Sequence, residues 1–160
     1  MKKILTILAV ILVLALPVVC MAAGSCVQTY NQMPTGNVTV KFTCTGDAAG
    51  ETVGTIPTQT ITGTAANLIK GLYLYQVISY PTPGGTAPDA ADVTVNQDGQ
   101  DLLGTKGVNL IHATLTYDVF PYSVFMSKDR LPMITGTVTY AVANQTAADA
   151  NWTTELQFGR

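Results

Sequence analysis

Apolar side chains recur at every second position along most of this chain, which is the period of a β-strand. Val38, Val40, Phe42 and Cys44 share one face, and Thr39, Lys41, Thr43 and Thr45 share the other. Val93 and Val95 alternate with Thr94 and Asn96. Ile111, Ala113, Leu115, Tyr117 and Val119 alternate with His112, Thr114, Thr116 and Asp118. Ile134, Val138, Tyr140 and Val142 alternate with Thr135, Thr137, Thr139 and Ala141, and Trp152, Leu156 and Phe158 with Thr153, Glu155 and Gln157. Gly71–Ser79 is apolar on both faces and reads as a central strand. The pattern predicts seven or eight strands over 26–31, 37–45, 53–61, 71–79, 91–97, 109–119, 134–143 and 152–158, mostly separated by Gly, Pro, Asn or Asp clusters. Thr64–Lys70 is expected to make at most one helical turn. Many short strands with turn signals between them predict an all-β fold, an antiparallel β-sandwich of jelly-roll or Ig-like type.

The first two strands carry a register. A reversal at Met33-Pro-Thr-Gly-Asn37, centred on Thr35, sets Tyr30 opposite Val40 and Cys26 opposite Cys44. A cross-strand disulfide is therefore expected between Cys26 and Cys44. Closing a loop of this size contributes about 3 kcal/mol in the chain-entropy account. A metal or redox role lacks a partner cysteine or a nearby histidine.

The N-terminus differs in kind. Lys2 and Lys3 precede an unbroken apolar run from Ile4 to Val19, followed by Met21-Ala-Ala-Gly24. This is the form of a secretory signal peptide, too short for a comfortable transmembrane span. Cys20 raises the alternative of lipidation, but Val18 and Val19 stand where a lipobox wants a small residue. The expected division is a signal peptide over 1–23 and one β-sandwich domain over 24–160, with no membrane span in the mature chain. Export to a periplasmic or extracellular space is where a disulfide persists. With 11% charged residues, a net charge of −2 and no basic run, the chain is a poor candidate for nucleic acid, whose affinity depends on neutralising phosphates. The surface must rely on Thr, Asn, Gln and Ser.

Catalytic chemistry finds little footing. The sole histidine, His112, sits on the polar phase of its expected strand, and no serine lies in a nucleophile-elbow pattern. Asp89, Asp92, Asp98 and Asp101 are the carboxylates a glycosidase would draw on, but they lie in a turn-rich stretch where Asp is already favoured. Asp92, Asn96, Asp98 and Asp101 also carry the alternation of a calcium loop. Gly99 falls two residues late for that register, and no glutamate follows. Gly84-Gly85-Thr86 lacks the lysine and helix of a phosphate loop. Asn96–Gln100 is expected to be a hairpin turn with Gly99 as the left-handed residue of a bulged type I turn. No cofactor is implied. Asn37, Asn144 and Asn151 match the N-glycosylation pattern, which arises by chance in a Thr-rich chain.

Phe120–Pro132 breaks the strand pattern with prolines near both ends, aromatics, a methionine and dense charge. It reads as a long loop folded over one end of the sandwich. The sharper alternative is a contact surface made by Tyr122, Phe125, Met126 and Arg130, since aromatics, Met and Arg are enriched at interface cores.

The order of motifs from about Ile61 onward adds a resemblance. An aromatic strand (Gly71–Tyr80) is followed by a Gly-Gly-Thr-Ala-Pro loop (Gly84–Pro88), a strand (Asp92–Asn96) and an Asp-Gly turn (Asp98-Gly99). An Asp-Leu-Leu-Gly step (Asp101–Gly104), a Gly-Thr-Val strand (Gly136–Val142) and a final strand ending in a basic residue (Trp152–Arg160) complete the series. This resembles small β-sandwich proteins from the virion-structure gene clusters of tailed bacteriophages. The resemblance implies a non-enzymatic structural role in an assembly, with no catalytic residues to carry over. The signal peptide, the Cys26–Cys44 hairpin and the 120–132 segment depart from that pattern and point to an exported relative. The expected function is thus an exported structural or assembly subunit that binds protein partners, including copies of itself. The alternative is an extracellular binding module for carbohydrate or another surface ligand, with Tyr73, Tyr75, Tyr122 and Phe125 as platforms for stacking on sugar rings.

Overall fold

A computed structural model of the chain describes residues 24–48, 55–121 and 131–160. The expected signal segment with Cys20, and the contact candidates Tyr122, Phe125, Met126 and Arg130, lie outside these residues.

Two antiparallel sheets pack face to face as a β-sandwich. Strands β1 (Ser25–Gln32), β2 (Val38–Thr45), β4 (Tyr73–Pro81), β7 (Tyr117–Val119) and β9 (Asn151–Gly159) form the larger sheet, in the order β1-β2-β9-β4-β7. Strands β3 (Gln59–Thr60), β5 (Asp92–Gln97), β6 (Gln100–Asp101) and β8 (Val138–Ala143) form the smaller one, in the order β3-β8-β5-β6. The short helix α1 (Gly63–Leu68) follows β3, where one helical turn was expected, and a 3-10 turn spans Gly104–Gly107.

The first hairpin has the register that its sequence symmetry dictates. Tyr30 pairs with Val40 and Cys26 with Cys44, and the two cysteines are disulfide-bonded with their Cα atoms 4.0 Å apart. β2 then pairs along its full length with β9, setting Val38 against Phe158 and Cys44 against Trp152. β4 lies on the other side of β9, with a bulge between Leu74 and Gln76. The doubly apolar segment is thus an interior strand, while the centre of the sheet is β9.

Alternation places Val38, Val40, Phe42, Leu74, Val77, Trp152, Leu156 and Phe158 of the larger sheet in one core with Val93, Val95, Val138 and Tyr140 of the smaller. Phe42 stacks on Tyr140 across the gap, ring centroids 4.8 Å apart. A buried polar chain crosses the same gap. Trp152 Nε1 donates to the Tyr140 hydroxyl at 2.9 Å, which bonds Thr154 Oγ1 at 3.0 Å, and Thr154 Oγ1 bonds Ser79 Oγ at 3.0 Å. Burial pushes the Tyr140 phenol up to about 12, against the pull of its Thr154 and Trp152 bonds. Each polar atom in this chain is satisfied, which is the condition for keeping it inside.

Three expected elements are corrected. The strand over 109–119 is not continuous: Ile111 makes an isolated bridge to Ala91 beside the smaller sheet, whereas Tyr117–Val119 pairs with β4 in the larger. The segment crosses between sheets, so its alternation does not keep one face inward, and Leu115 is 49% exposed although in phase with buried Ile111. Of the span 53–61, the described part forms strand only at Gln59–Thr60. In 134–143, Ile134 is buried, but the strand begins at Val138.

The turn after β5 also differs. Gln97 pairs directly with Gln100, and both intervening residues, Asp98 and Gly99, have positive φ (51° and 86°). Positive φ at both central residues is the type I′ arrangement, whose twist matches that of the strands, and not a bulged type I turn.

Candidate functional site

The carboxylates singled out in the sequence all accept hydrogen bonds, but only Asp101 bonds its own turn, whereas Asp89, Asp92 and Asp98 tie segments distant in sequence. Asp92 Oδ1 accepts from the Asn109 N–H at 2.8 Å, and its Oδ2 accepts from Asn144 Nδ2 at 2.6 Å. Asp98 Oδ1 accepts from the Thr137 N–H, and its carboxylate fills the space above Gly136, where a Cβ would lie 1.7 Å from Asp98 Oδ2. Asp101 Oδ1 accepts from the Leu103 N–H at 2.9 Å. Asp89 accepts from both the backbone N–H and the hydroxyl of Thr146. Asn96 stands opposite Asp101 in the β5–β6 pair. Asp92 and Asp98 are separated by the length of β5, roughly 20 Å at the usual strand rise. Among the described residues no three His, Cys, Asp or Glu side chains gather as a metal-ligating group. The structure brings Asn96 and Asp101 together and keeps Asp92 apart from both ends of that turn.

His112 lies outside any strand and is half-buried. It lines an open cleft of about 430 Å³ together with Lys106, Asn109, Tyr117, Asp118 and Val119. Its Nδ1 accepts from the Thr114 N–H at 3.2 Å, and its ring meets that of Tyr117 edge-on, centroids 5.4 Å apart. Lys106 Nζ donates to the Phe120 carbonyl at 2.9 Å, and Asp118 accepts from Gln76 Nε2 at 2.9 Å. The cleft is lined by an aromatic edge, a cation, a carboxylate and an amide, of which the Lys106 and Asp118 side chains are already engaged. It arises where the 109–119 segment leaves one sheet for the other, which alternation cannot reveal.

The outer face of the larger sheet is mostly polar. Register places Thr29, Lys41, Glu155, Ile78 and Asp118 in one row across all five strands. Glu155 Oε1 accepts from the Tyr80 hydroxyl at 2.8 Å and lies 3.9 Å from Lys41 Nζ, which sits 5.9 Å from the Tyr80 ring centroid. Burial, and then the bond to Glu155, raise the Tyr80 phenol above its ordinary value. Sequence reasoning missed this group because its members lie on β2, β4 and β9 and meet only once strand order is known.

The large apolar side chains exposed among the described residues fall into three groups. Val27, Tyr30 and Met33 belong to the first hairpin. Val108 and Tyr117 line the cleft, and Leu115 and Phe120 lie close to Tyr117 in sequence. Tyr73 bridges to Met133, and Leu131 is exposed two residues before Met133 in the chain. Of the two described stacking candidates, Tyr73 is thus exposed beside another apolar residue, while Tyr75 is half-buried and lies against Gly159. Among the described residues no helix is long and apolar enough to cross a membrane. No family model, no curated protein and no solved structure matches this chain.

Proposed function

We propose that this chain is an exported, non-enzymatic β-sandwich subunit that acts through protein–protein contact in an assembly. The observation that carries the reading is the exposure of large apolar side chains that stand together, Val108 with Tyr117 at the cleft and Tyr73 with Met133. Scattered exposed apolar residues are ordinary, whereas grouped ones mark contact surfaces. The Cys26–Cys44 disulfide fits an oxidising compartment, as does the signal-like N-terminus. The order of turn motifs shared with the phage virion-cluster proteins supports the same class of role. Light scattering on the oxidised 24–160 chain across a concentration series tests this: mass should rise with concentration, and a strictly monodisperse monomer at high concentration overturns it. Fusing 1–23 to a reporter active only after export tests the compartment.

The cleft favours a second reading, a binding module for carbohydrate, because Tyr117, Asn109 and Asp118 combine a ring with hydrogen-bonding groups. A glycan array would then show binding that Tyr117→Ala abolishes. Silence across a broad array removes this reading.

A further inference from the structure

The two edges of the first strand can be told apart from two observations. In an antiparallel pair, residues whose N–H and C=O groups point to the partner alternate with residues whose groups point away, and the latter pairs stand closer, near 4.5 Å instead of 5.5 Å. Cys26 and Cys44 have Cα atoms 4.0 Å apart, so Cys26 is of the second kind. Independently, the Met33 N–H donates to the Asn37 carbonyl, which makes the odd-numbered residues the ones bonded to β2. Cys26, Gln28, Tyr30 and Gln32 therefore turn their backbone groups toward the free edge of the larger sheet. No other described strand pairs with that edge. β1 is eight residues long, SCVQTYNQ, with no charge and no proline. Its own sequence thus lacks the charge, proline and shortness that usually close an edge to addition, and no described strand or helix covers it. Val27 is 64% exposed and Tyr30 48% exposed on the same hairpin.

The geometry points to a second copy of this chain as the occupant of that edge, paired antiparallel, β1 to β1, about a two-fold axis at Thr29. The inference rests on the assembly reading above and specifies its contact. Outward-facing residues must oppose outward-facing residues, so a two-fold can lie only at certain places. With the axis at Thr29, Gln28 opposes Tyr30 of the second copy and Cys26 opposes its Gln32, so all four outward-facing residues are paired on each side. With the axis moved to Gln28 or Tyr30, at least one of the four is left outside. The Thr29 pair is itself of the close kind, and Thr–Thr pairs are favourable neighbours. Charge does not oppose the contact. The nearest lysines, Lys41 of each copy, would stand three strand spacings apart, roughly 14 Å, beyond the screening length at physiological salt.

Thr29→Cys tests the register directly. Thr29 is exposed on the outer face, opposite in phase to the Cys26–Cys44 pair, so the native disulfide is left undisturbed. Under mild oxidation Thr29→Cys should run at doubled mass on a non-reducing gel and return to single mass on reduction. Val27→Cys should not cross-link, because the two copies of residue 27 would lie about 13 Å apart along the strands, beyond disulfide reach. Thr29→Lys, which sets two like charges on the axis, should lower the mass seen by light scattering to that of the monomer while leaving the thermal melt in place. Tyr30→Pro, which removes one outward N–H, should do the same. If the wild type associates but Thr29→Cys does not cross-link and Thr29→Lys still associates, this edge is not the contact. The inference then falls while the assembly reading stands. If the wild type is monomeric throughout, both fall.

Discussion

The two edges of the larger sheet are built in opposite ways. β7 closes one side with three residues, Tyr117–Val119, and carries Asp118, whose carboxylate is bonded to Gln76 of the neighbouring strand. The segments on either side of it lead away to the other sheet and to the exposed Phe120. β1 ends the other side with eight uncharged residues. It is held by a disulfide to β2 and by the Gln28 side chain, which bonds both the N–H and the C=O of Thr62 beside the smaller sheet. A short, charged edge blocks the addition of another strand. A long neutral edge does not, and here it is fixed rigidly enough to serve as a template. The pins on β1 lie on the core side, and among the described residues no strand pairs with its outward backbone groups.

Removing the covalent pin should have the largest effect on this contrast. Cys26→Ala with Cys44→Ala is expected to cost about 3 kcal/mol, lowering the melting temperature by roughly 10 °C for a domain of this size. Amide exchange should rise first along β1. A loss spread evenly over both sheets would show that the pin serves the whole fold and not this edge.

Tyr140→Phe comes next and should not distinguish the edges. It strands Trp152 Nε1 in the interior and leaves Thr154 Oγ1 with Ser79 as its remaining partner, at a cost of about 2 kcal/mol by urea unfolding. It also carries a pH signature. The folded-state phenol sits near 12 against 10.0 for the free group, so the fold favours the protonated form. That stabilisation is complete below about pH 10 and is lost as pH rises through 12, because the unfolded chain gives up the proton first. The alkaline limb of a stability–pH curve should therefore be shallower in Tyr140→Phe than in the wild type. Tyr80 adds a smaller contribution of the same sign.

Gln28→Ala should cost about 1 kcal/mol through its two bonds to Thr62, with exchange rising at β1 and α1 and not at β7. Asp118→Ala is the smallest change, within about 0.5 kcal/mol because the carboxylate is exposed. Its interest lies in removing the only charge from β7. If Asp118→Ala restores association to Thr29→Lys, edge charge and not edge length is what separates the two sides.

Legibility in the sequence followed the range of the pairing. The first hairpin could be read to the residue, since a local reversal fixes its register and both strands carry a clean alternation. The core faces of β2, β5 and β9 were legible for the same reason. The segment 109–119 was not: Ile111 and Tyr117 are in phase, but one bridges to Ala91 and the other pairs with Ser79. Alternation says which side chains share a side of a strand, not which sheet the strand has joined. Asp98-Gly99 was seen as a turn, but its type depends on the φ of both residues. Thr153 shows a further limit. It faces outward as expected, yet it is buried, with Thr82 bonded to its hydroxyl. The Lys41–Glu155–Tyr80 group needed the order β2-β9-β4, which no local pattern carries.

That strand order also bears on how the molecule comes into being. β9 follows every other strand in sequence yet lies at the centre of the larger sheet, joining β2 to β4. Val38 must wait for Phe158, and β4 has no long partner until the same segment arrives. A chain delivered from its N-terminus first can zip its opening hairpin at once, since that closure is short. It cannot enclose Trp152 or complete the interior hydrogen-bond chain until the last strand inserts between two waiting neighbours. Such late, long-range closure makes folding slow. Until it occurs, β2 and β4 are themselves open to addition along the edges that β9 will cover. The native chain thus passes through a stage with more adhesive borders than it finally keeps, and any helper that guards it has its work between the appearance of β4 and the docking of β9.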